Sequence, residues 1–181
     1  NYDLPFDKEI IEKWVNKFCI GERADYWFVE KTPMNWALFK AWQDLYPNDA
    51  YFIFVQRHPY QRLYSARRRW AINPKTKQRF EESEWNWTSG DDFRTKPLID
   101  FWQNDLKEIK NLKIIRYEDL CKHPVQTCKE VLRFLSIKKY DGFIEKVVSE
   151  VGVSIRHEYK INKEFYEPSC KELAEIWNYK T

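Results

Sequence analysis

The stretch FIFVQRHPYQRLYSARRRW, residues 52–70, decides the fold because it joins an apolar strand to a basic helix. Residues 50–57 are apolar almost throughout, which is typical of a strand in the middle of a parallel sheet. Pro59 suits the first turn of the next helix, where its missing N–H needs no partner. Arg57 is then expected at the carboxyl end of the strand. Four further arginines follow on the helix, namely Arg62, Arg67, Arg68 and Arg69.

Strands and helices alternate on both sides of this stretch. Further strands are predicted at residues 26–30 and 113–117. The alternation predicts an α/β domain with a mainly parallel sheet flanked by helices in three layers. The length of 181 residues suits a single domain spanning 1–181. Helices are predicted from apolar spacing at 6–18, 32–46, 59–70, 97–110, 123–137, 141–151 and 170–179.

Composition narrows the classes of function. The net charge is only +3, and no second basic stripe extends the arginine cluster, which argues against nucleic-acid binding. The chain has four cysteines in no CxxC pair and three scattered histidines, so a zinc site is not expected. No apolar run reaches membrane-spanning length, and no signal peptide is visible. Because the chain starts with Asn1, we expect it to be part of a longer protein.

Ligands bind outside the carboxyl ends of the strands in open α/β sheets, and polar side chains follow all three predicted strands. Arg57 and the helix N-terminus after it suit a phosphate, because a guanidinium can hold two phosphate oxygens at once. Lys31 offers a compact positive charge, and Tyr117 offers a ring for a nucleobase. The alternatives are a solvated arginine face, a Lys–Glu pair and a tyrosine packed on the next helix. The same helix also carries Ser65, Arg69 and Arg62.

The motifs EKTP (30–33), RHPYQRLYS (57–65) and RYEDL (116–120) occur in an order that resembles the sulfotransferases that use 3′-phosphoadenosine 5′-phosphosulfate (PAPS). The resemblance covers roughly residues 26–137. It implies a P-loop-NTPase-like sheet and transfer of a sulfuryl group to an acceptor hydroxyl or amine, with release of 3′,5′-ADP and no need for a metal. It also implies residue roles. Arg57 and Ser65 would grip the 3′-phosphate, Arg69 would add a donor-phosphate contact, Tyr117 would lie near the adenine and Lys31 near the sulfuryl group.

Two departures shape these expectations. The family's glycine-containing 5′-phosphosulfate loop has no match here, so we expect the chain to be the C-terminal portion of a longer catalytic domain. Pro33 stands where the cytosolic small-molecule branch usually carries a catalytic histidine. The chain therefore looks more like the carbohydrate, tyrosylprotein and bacterial branches, whose glutamate base would lie upstream. Their compartments imply a cytoplasmic location for a bacterial member and the Golgi lumen for a eukaryotic one.

Acceptor specificity is expected in the segment 71–96, which is interpreted as a functional loop or lid. Trp85 and Trp87 in this segment are candidates for acceptor contacts, with stacking on a sugar ring as the hypothesis and core packing as the alternative. Ser154 and Arg156 are secondary site candidates, from their position relative to the tyrosylprotein branch. The competing hypothesis is a non-catalytic module that binds an anionic glycan or a protein partner through the same arginines. The sequence indicates neither the acceptor nor the oligomeric state.

Overall fold

The computed structural model describes residues 29–31, 35–70, 92–138, 142–151 and 168–179, and the single residues 9, 12, 13 and 78. Within these ranges the chain is α/β, as predicted. A parallel sheet of two strands, β1 (Phe52–Gln56) and β2 (Leu112–Arg116), pairs in register from Phe52↔Leu112 to Gln56↔Arg116. The helices are α1 (Phe39–Leu45), α2 (Pro59–Trp70), α3 (Asp92–Asp100), α4 (Tyr117–Lys122), α5 (Pro124–Phe134), α6 (Phe143–Val151) and α7 (Pro168–Ile176).

The strand predicted at 50–57 is confirmed over residues 52–56, and its side chains alternate between two environments. Phe52, Phe54 and Gln56 are buried, whereas Ile53 and Val55 are 36% and 48% exposed. Successive side chains of a strand point to opposite faces, so one face of β1 covers the core and the other is more open. A sheet of two described strands fits the predicted architecture, but the three-layer arrangement remains a prediction.

Aromatic side chains form the core beneath the sheet. Phe54 lies 5.4 Å from Trp102 and 5.9 Å from Trp177 between ring centroids, in edge-to-face geometry. Phe39 of α1 packs on Phe52 at 4.6 Å. Edge-to-face contacts match the positive edge of one ring to the negative face of the next. The many aromatics of the sequence are therefore at least partly core residues, and they fasten the C-terminal segment to β1.

Several predicted boundaries were wrong. β2 begins and ends one residue earlier than predicted, so Tyr117 opens α4 instead of ending the strand. Residues 92–96 belong to α3 and not to the predicted loop, and Pro97 lies inside that helix. The helical path then continues through a π-helical segment (Phe101–Asp105) and a 3₁₀ turn (Leu106–Glu108). The helix predicted at 97–110 therefore starts five residues too late, and tertiary packing accepts the proline within the helix.

Two other predictions are only partly covered by the described residues. Of the strand predicted at 26–30, Val29 and Glu30 lie in neither a helix nor a strand, and the rest is outside the described residues. Of the first predicted helix, only residues 9, 12 and 13 are described, and all three are helical. None of the helices described is long and apolar enough to span a membrane.

The C-terminal segment turns back toward the sheet after α7. Asn178 has a positive φ of 55°. The N–H of Tyr179 donates to the carbonyl of Ala174 at 2.8 Å, and the N–H of Asn178 donates to that of Glu175 at 3.0 Å. This pair of bonds is the Schellman motif, which satisfies carbonyls at a helix end through one left-handed residue. It directs Tyr179 to the end of the sheet where the site candidates lie.

Candidate functional site

The carboxyl ends of β1 and β2 lie at the same edge of the sheet because the two strands are parallel. Arg57 directly follows β1, and Tyr117 directly follows β2. The Arg57 guanidinium carbon lies 4.8 Å from the centroid of the Tyr117 ring. Such a cation–π contact is worth about 0.5–2 kcal/mol, depending on how far the pair is desolvated. The structure thus brings together two residues that the sequence singled out separately.

Glu118 joins this edge of the sheet to the C-terminal segment. One of its carboxylate oxygens, Oε1, accepts a hydrogen bond from the backbone N–H of His58 at 2.9 Å. The other, Oε2, accepts one from the hydroxyl of Tyr179 at 2.8 Å. Burial and this bond to a carboxylate raise the pKa of Tyr179 above its ordinary value of 10.0, because a phenolate there would be poorly solvated and repelled. The hydroxyl therefore remains a donor.

Arg116, the last residue of β2, makes two contacts with the same C-terminal segment. Its Nη2 donates to the carbonyl of Trp177 at 3.2 Å, and its guanidinium carbon lies 4.9 Å from the centroid of the Tyr179 ring. The His58 ring lies 4.8 Å from the Tyr179 ring between centroids. Tyr179 therefore lies against groups from both strand ends.

Helix α2 carries the remaining basic candidates. Nη2 of Arg62 donates to the hydroxyl of Thr95 at 2.6 Å, and Thr95 on α3 has no solvent exposure. This bond gives Arg62 a role in joining α2 to α3. Ser65 is half-buried one turn further along α2. Arg69 lies on α2 as well, but its side chain is outside the described residues, as are those of Arg67 and Arg68.

The structure gives less information about the other predicted site residues. Lys31 is exposed and lies in neither a helix nor a strand. Trp85, Trp87, Ser154 and Arg156 lie outside the described residues. In the described part of the chain no cluster of three His, Cys, Asp or Glu residues could hold a metal ion.

Sequence reasoning missed His58, Arg116, Glu118 and Tyr179. The first three flank the strand ends, so the rule that directed attention to Arg57 and Tyr117 could have found them. Nothing local in the sequence points to Tyr179. It reaches Glu118 across 61 residues of chain, through the packing of α7.

The family comparison covers most of this chain. A model of the Sulfotransferase family matches residues 4–141, which is more than half of the 181 residues and includes all three strand-end motifs. The chain belongs to the sulfotransferase family. It is accordingly a member of a family of transferases that move sulfuryl groups to acceptor substrates. No curated protein and no solved structure matches the chain significantly.

Proposed function

We propose that this protein takes the sulfuryl group from PAPS and transfers it to an acceptor hydroxyl or amine, with a carbohydrate as the preferred candidate acceptor. Family membership supports sulfuryl transfer in general. The observation that supports a nucleotide donor is the pairing of Arg57 with Tyr117 at 4.8 Å, on the edge of the sheet where ligands of open α/β sheets bind. A guanidinium beside an aromatic ring fits a phosphate and a base of one nucleotide.

The proposed roles follow from the chemistry of each side chain. Arg57 holds the 3′-phosphate by charge-assisted hydrogen bonds, with Ser65 and Arg69 contributing from α2. Tyr117 presents its ring to the adenine. Residue Arg62 is a weaker candidate, because one of its N–H groups already binds Thr95.

The donor, when bound, supplies a sulfur that the acceptor attacks in line, and the bond from sulfur to the 5′-phosphate oxygen breaks to release 3′,5′-ADP. Lys31 would neutralise negative charge that develops on that oxygen. A base takes the proton of the acceptor, and we place it outside the described residues. The remaining task of the chain is to hold donor and acceptor in line.

The test is the affinity of the full-length protein for 3′,5′-ADP, measured by isothermal titration calorimetry. Arg57→Ala should weaken binding by about 2–5 kcal/mol, because it removes a desolvated, charge-assisted contact. Ser65→Ala should cost less, on the order of 1 kcal/mol for a hydroxyl contact. Arg133→Ala is the matched control, since Arg133 is exposed on α5 and its loss changes the net charge equally.

Equal affinity of the wild type, Arg57→Ala and Ser65→Ala would refute the assigned phosphate grip. If Arg133→Ala weakens binding as much as Arg57→Ala does, the weaker binding is explained by the lower net charge and not by a contact of Arg57 with the phosphate. Measurements at two ionic strengths distinguish a net-charge effect from a direct contact. Salt screens interactions between exposed charges far more than a buried pair, so a direct contact of Arg57 should depend less on salt.

A further inference from the structure

Three successive residues at the junction of β2 and α4 contact the segment after β1 and the C-terminal segment. Arg116 contacts the C-terminal segment at Trp177, and Tyr117 lies under the guanidinium of Arg57. Glu118 binds both the N–H of His58 and the hydroxyl of Tyr179. The junction after β1 is thus held by two neighbouring residues of α4, and one of these is itself held by the C-terminal segment.

We propose that Glu118 and Tyr179 are positioning residues that fix the strand-end junction so that Arg57 points at the donor phosphate. The group formed by the Glu118 carboxylate, the His58 N–H and the Tyr179 hydroxyl is called here the Glu118 clasp. The assignment of Arg57 to a phosphate rests on the proposed function, whereas the clasp itself rests on the hydrogen bonds.

The clasp fixes the backbone next to Arg57. The N–H of His58 donates to Glu118, and the carbonyl of His58 accepts from the N–H of Arg62 at 2.9 Å. A residue that precedes a proline also has a restricted backbone, and His58 precedes Pro59. Both polar groups of the His58 backbone are therefore bound. The remaining freedom of Arg57 is mainly in its side chain, which the Tyr117 ring supports.

Tyr179 completes the clasp because the second carboxylate oxygen needs its own partner to keep the carboxylate in one orientation. Trp177, two residues earlier, is only 4% exposed and packs on Phe54 and Trp102. The Schellman motif then delivers Tyr179 from this anchored point. Glu118 is thus oriented by a segment that the aromatic core holds in place.

The experiment uses the full-length protein with Glu118→Ala, Glu118→Gln, Tyr179→Phe and, as control, Glu172→Ala. Glu172 is an exposed carboxylate on α7. Two quantities are measured, namely the hydrogen-exchange rate of the His58 amide by NMR and the dissociation constant for 3′,5′-ADP. The amide rate reports the clasp directly, since that N–H is one of its donors.

Glu118→Ala should speed exchange of the His58 amide and raise the dissociation constant, each by about tenfold or more, as expected for loss of a bond to a charged group. Glu118→Gln keeps an oxygen that can accept from the His58 N–H, so its amide exchange rate and its dissociation constant should both stay closer to the wild-type values than those of Glu118→Ala. Tyr179→Phe should raise the dissociation constant by roughly two- to tenfold. Glu172→Ala should change neither quantity.

An unchanged His58 amide in Glu118→Ala would overturn the clasp. Faster exchange with unchanged affinity would overturn the positioning role, because the clasp would then be only structural. A wild type that fails to bind 3′,5′-ADP would refute the proposed donor and this use of Arg57, and the amide rates alone would then decide whether the clasp holds the junction.

Discussion

Replacing Thr95 by valine tests whether Arg62 serves the fold or the ligand. Nη2 of Arg62 donates to the Thr95 hydroxyl at 2.6 Å, and Thr95 is fully buried. The Nε atom of Arg62 is also buried, and no hydrogen-bond partner is found for it in the described part of the chain. Valine fills the same space as threonine but offers no acceptor, so Thr95→Val leaves a second guanidinium N–H without its partner.

The magnitude follows from the charge of the donor. A hydrogen bond to a charged group contributes about 1.5–3 kcal/mol, and the shape match between valine and threonine adds no cavity cost. We therefore expect Thr95→Val to lower the free energy of unfolding by about 2–3 kcal/mol. Thr95→Ser is the control, because it keeps the hydroxyl and loses one methyl group, worth about 0.8 kcal/mol when buried.

The assay is urea unfolding of the wild type, Thr95→Val, Thr95→Ser, Arg62→Met and the double variant Arg62→Met/Thr95→Val. A double-mutant cycle gives the coupling between the two residues, which should be about 1.5–3 kcal/mol. The free energy of unfolding of Thr95→Val could instead lie within about 0.5 kcal/mol of the wild-type value, as is typical of surface substitutions. That result would show that the bond between Arg62 and Thr95 does not hold α2 to α3. If Arg62→Met also bound 3′,5′-ADP more weakly than the wild type, we would infer that Arg62 contacts the donor.

Two further predictions concern the C-terminal turn. Asn178 has a φ of 55°, so Asn178→Gly should keep the free energy of unfolding within a few tenths of a kcal/mol, whereas Asn178→Val should lower it by about 1–2 kcal/mol, as urea unfolding would reveal. Equal tolerance of valine and glycine would contradict the Schellman turn. The pKa of Tyr179 is raised in the folded state, so the unfolded chain releases this proton first as pH rises. The stability from Tyr179 is then complete below its ordinary pKa of 10.0 and is lost as pH rises toward the folded-state pKa. Urea midpoints of the wild type and Tyr179→Phe, measured between pH 9 and 11.5, should converge above pH ~10, and a constant gap would count against the bond to Glu118.

Local patterns in the sequence were enough for the parts of the fold that depend on neighbouring residues. The apolar run and Pro59 predicted β1 and α2, and α2 begins at that proline. Predicted helix boundaries were wrong where tertiary packing outweighed a local signal, as at Pro97, which lies inside α3. Tyr117 was predicted to end a strand, but it opens a helix, and its ring still lies at the predicted edge of the sheet.

The part of the candidate site that could be predicted from the sequence consists of the residues that directly follow each strand. Arg57 and Tyr117 could be placed together because parallel strands end at one edge of the sheet, whatever the loops between them do. Tyr179 could not be placed, because its position depends on how α7 packs on α2 and α3 and on how the chain turns at Asn178. Such long-range packing leaves no periodic trace in the sequence.

The contacts of residues 116–118 suggest why the strand-end motif has consecutive polar residues. β2 ends at Arg116 and α4 begins at Tyr117, so the change from strand to helix geometry sends three successive side chains in different directions. Arg116 contacts the C-terminal segment, and Tyr117 contacts the Arg57 side chain. Glu118 contacts both the His58 backbone and Tyr179 of the C-terminal segment. A one-residue insertion between Ile115 and Arg116 would displace all three contacts together, whereas single substitutions remove them one at a time. The insertion should therefore weaken 3′,5′-ADP binding, measured by isothermal titration calorimetry, by more than either Arg116→Ala or Glu118→Ala alone, because it also displaces the Tyr117 ring from Arg57. An insertion variant that binds as well as Glu118→Ala would contradict this coupling of the three contacts.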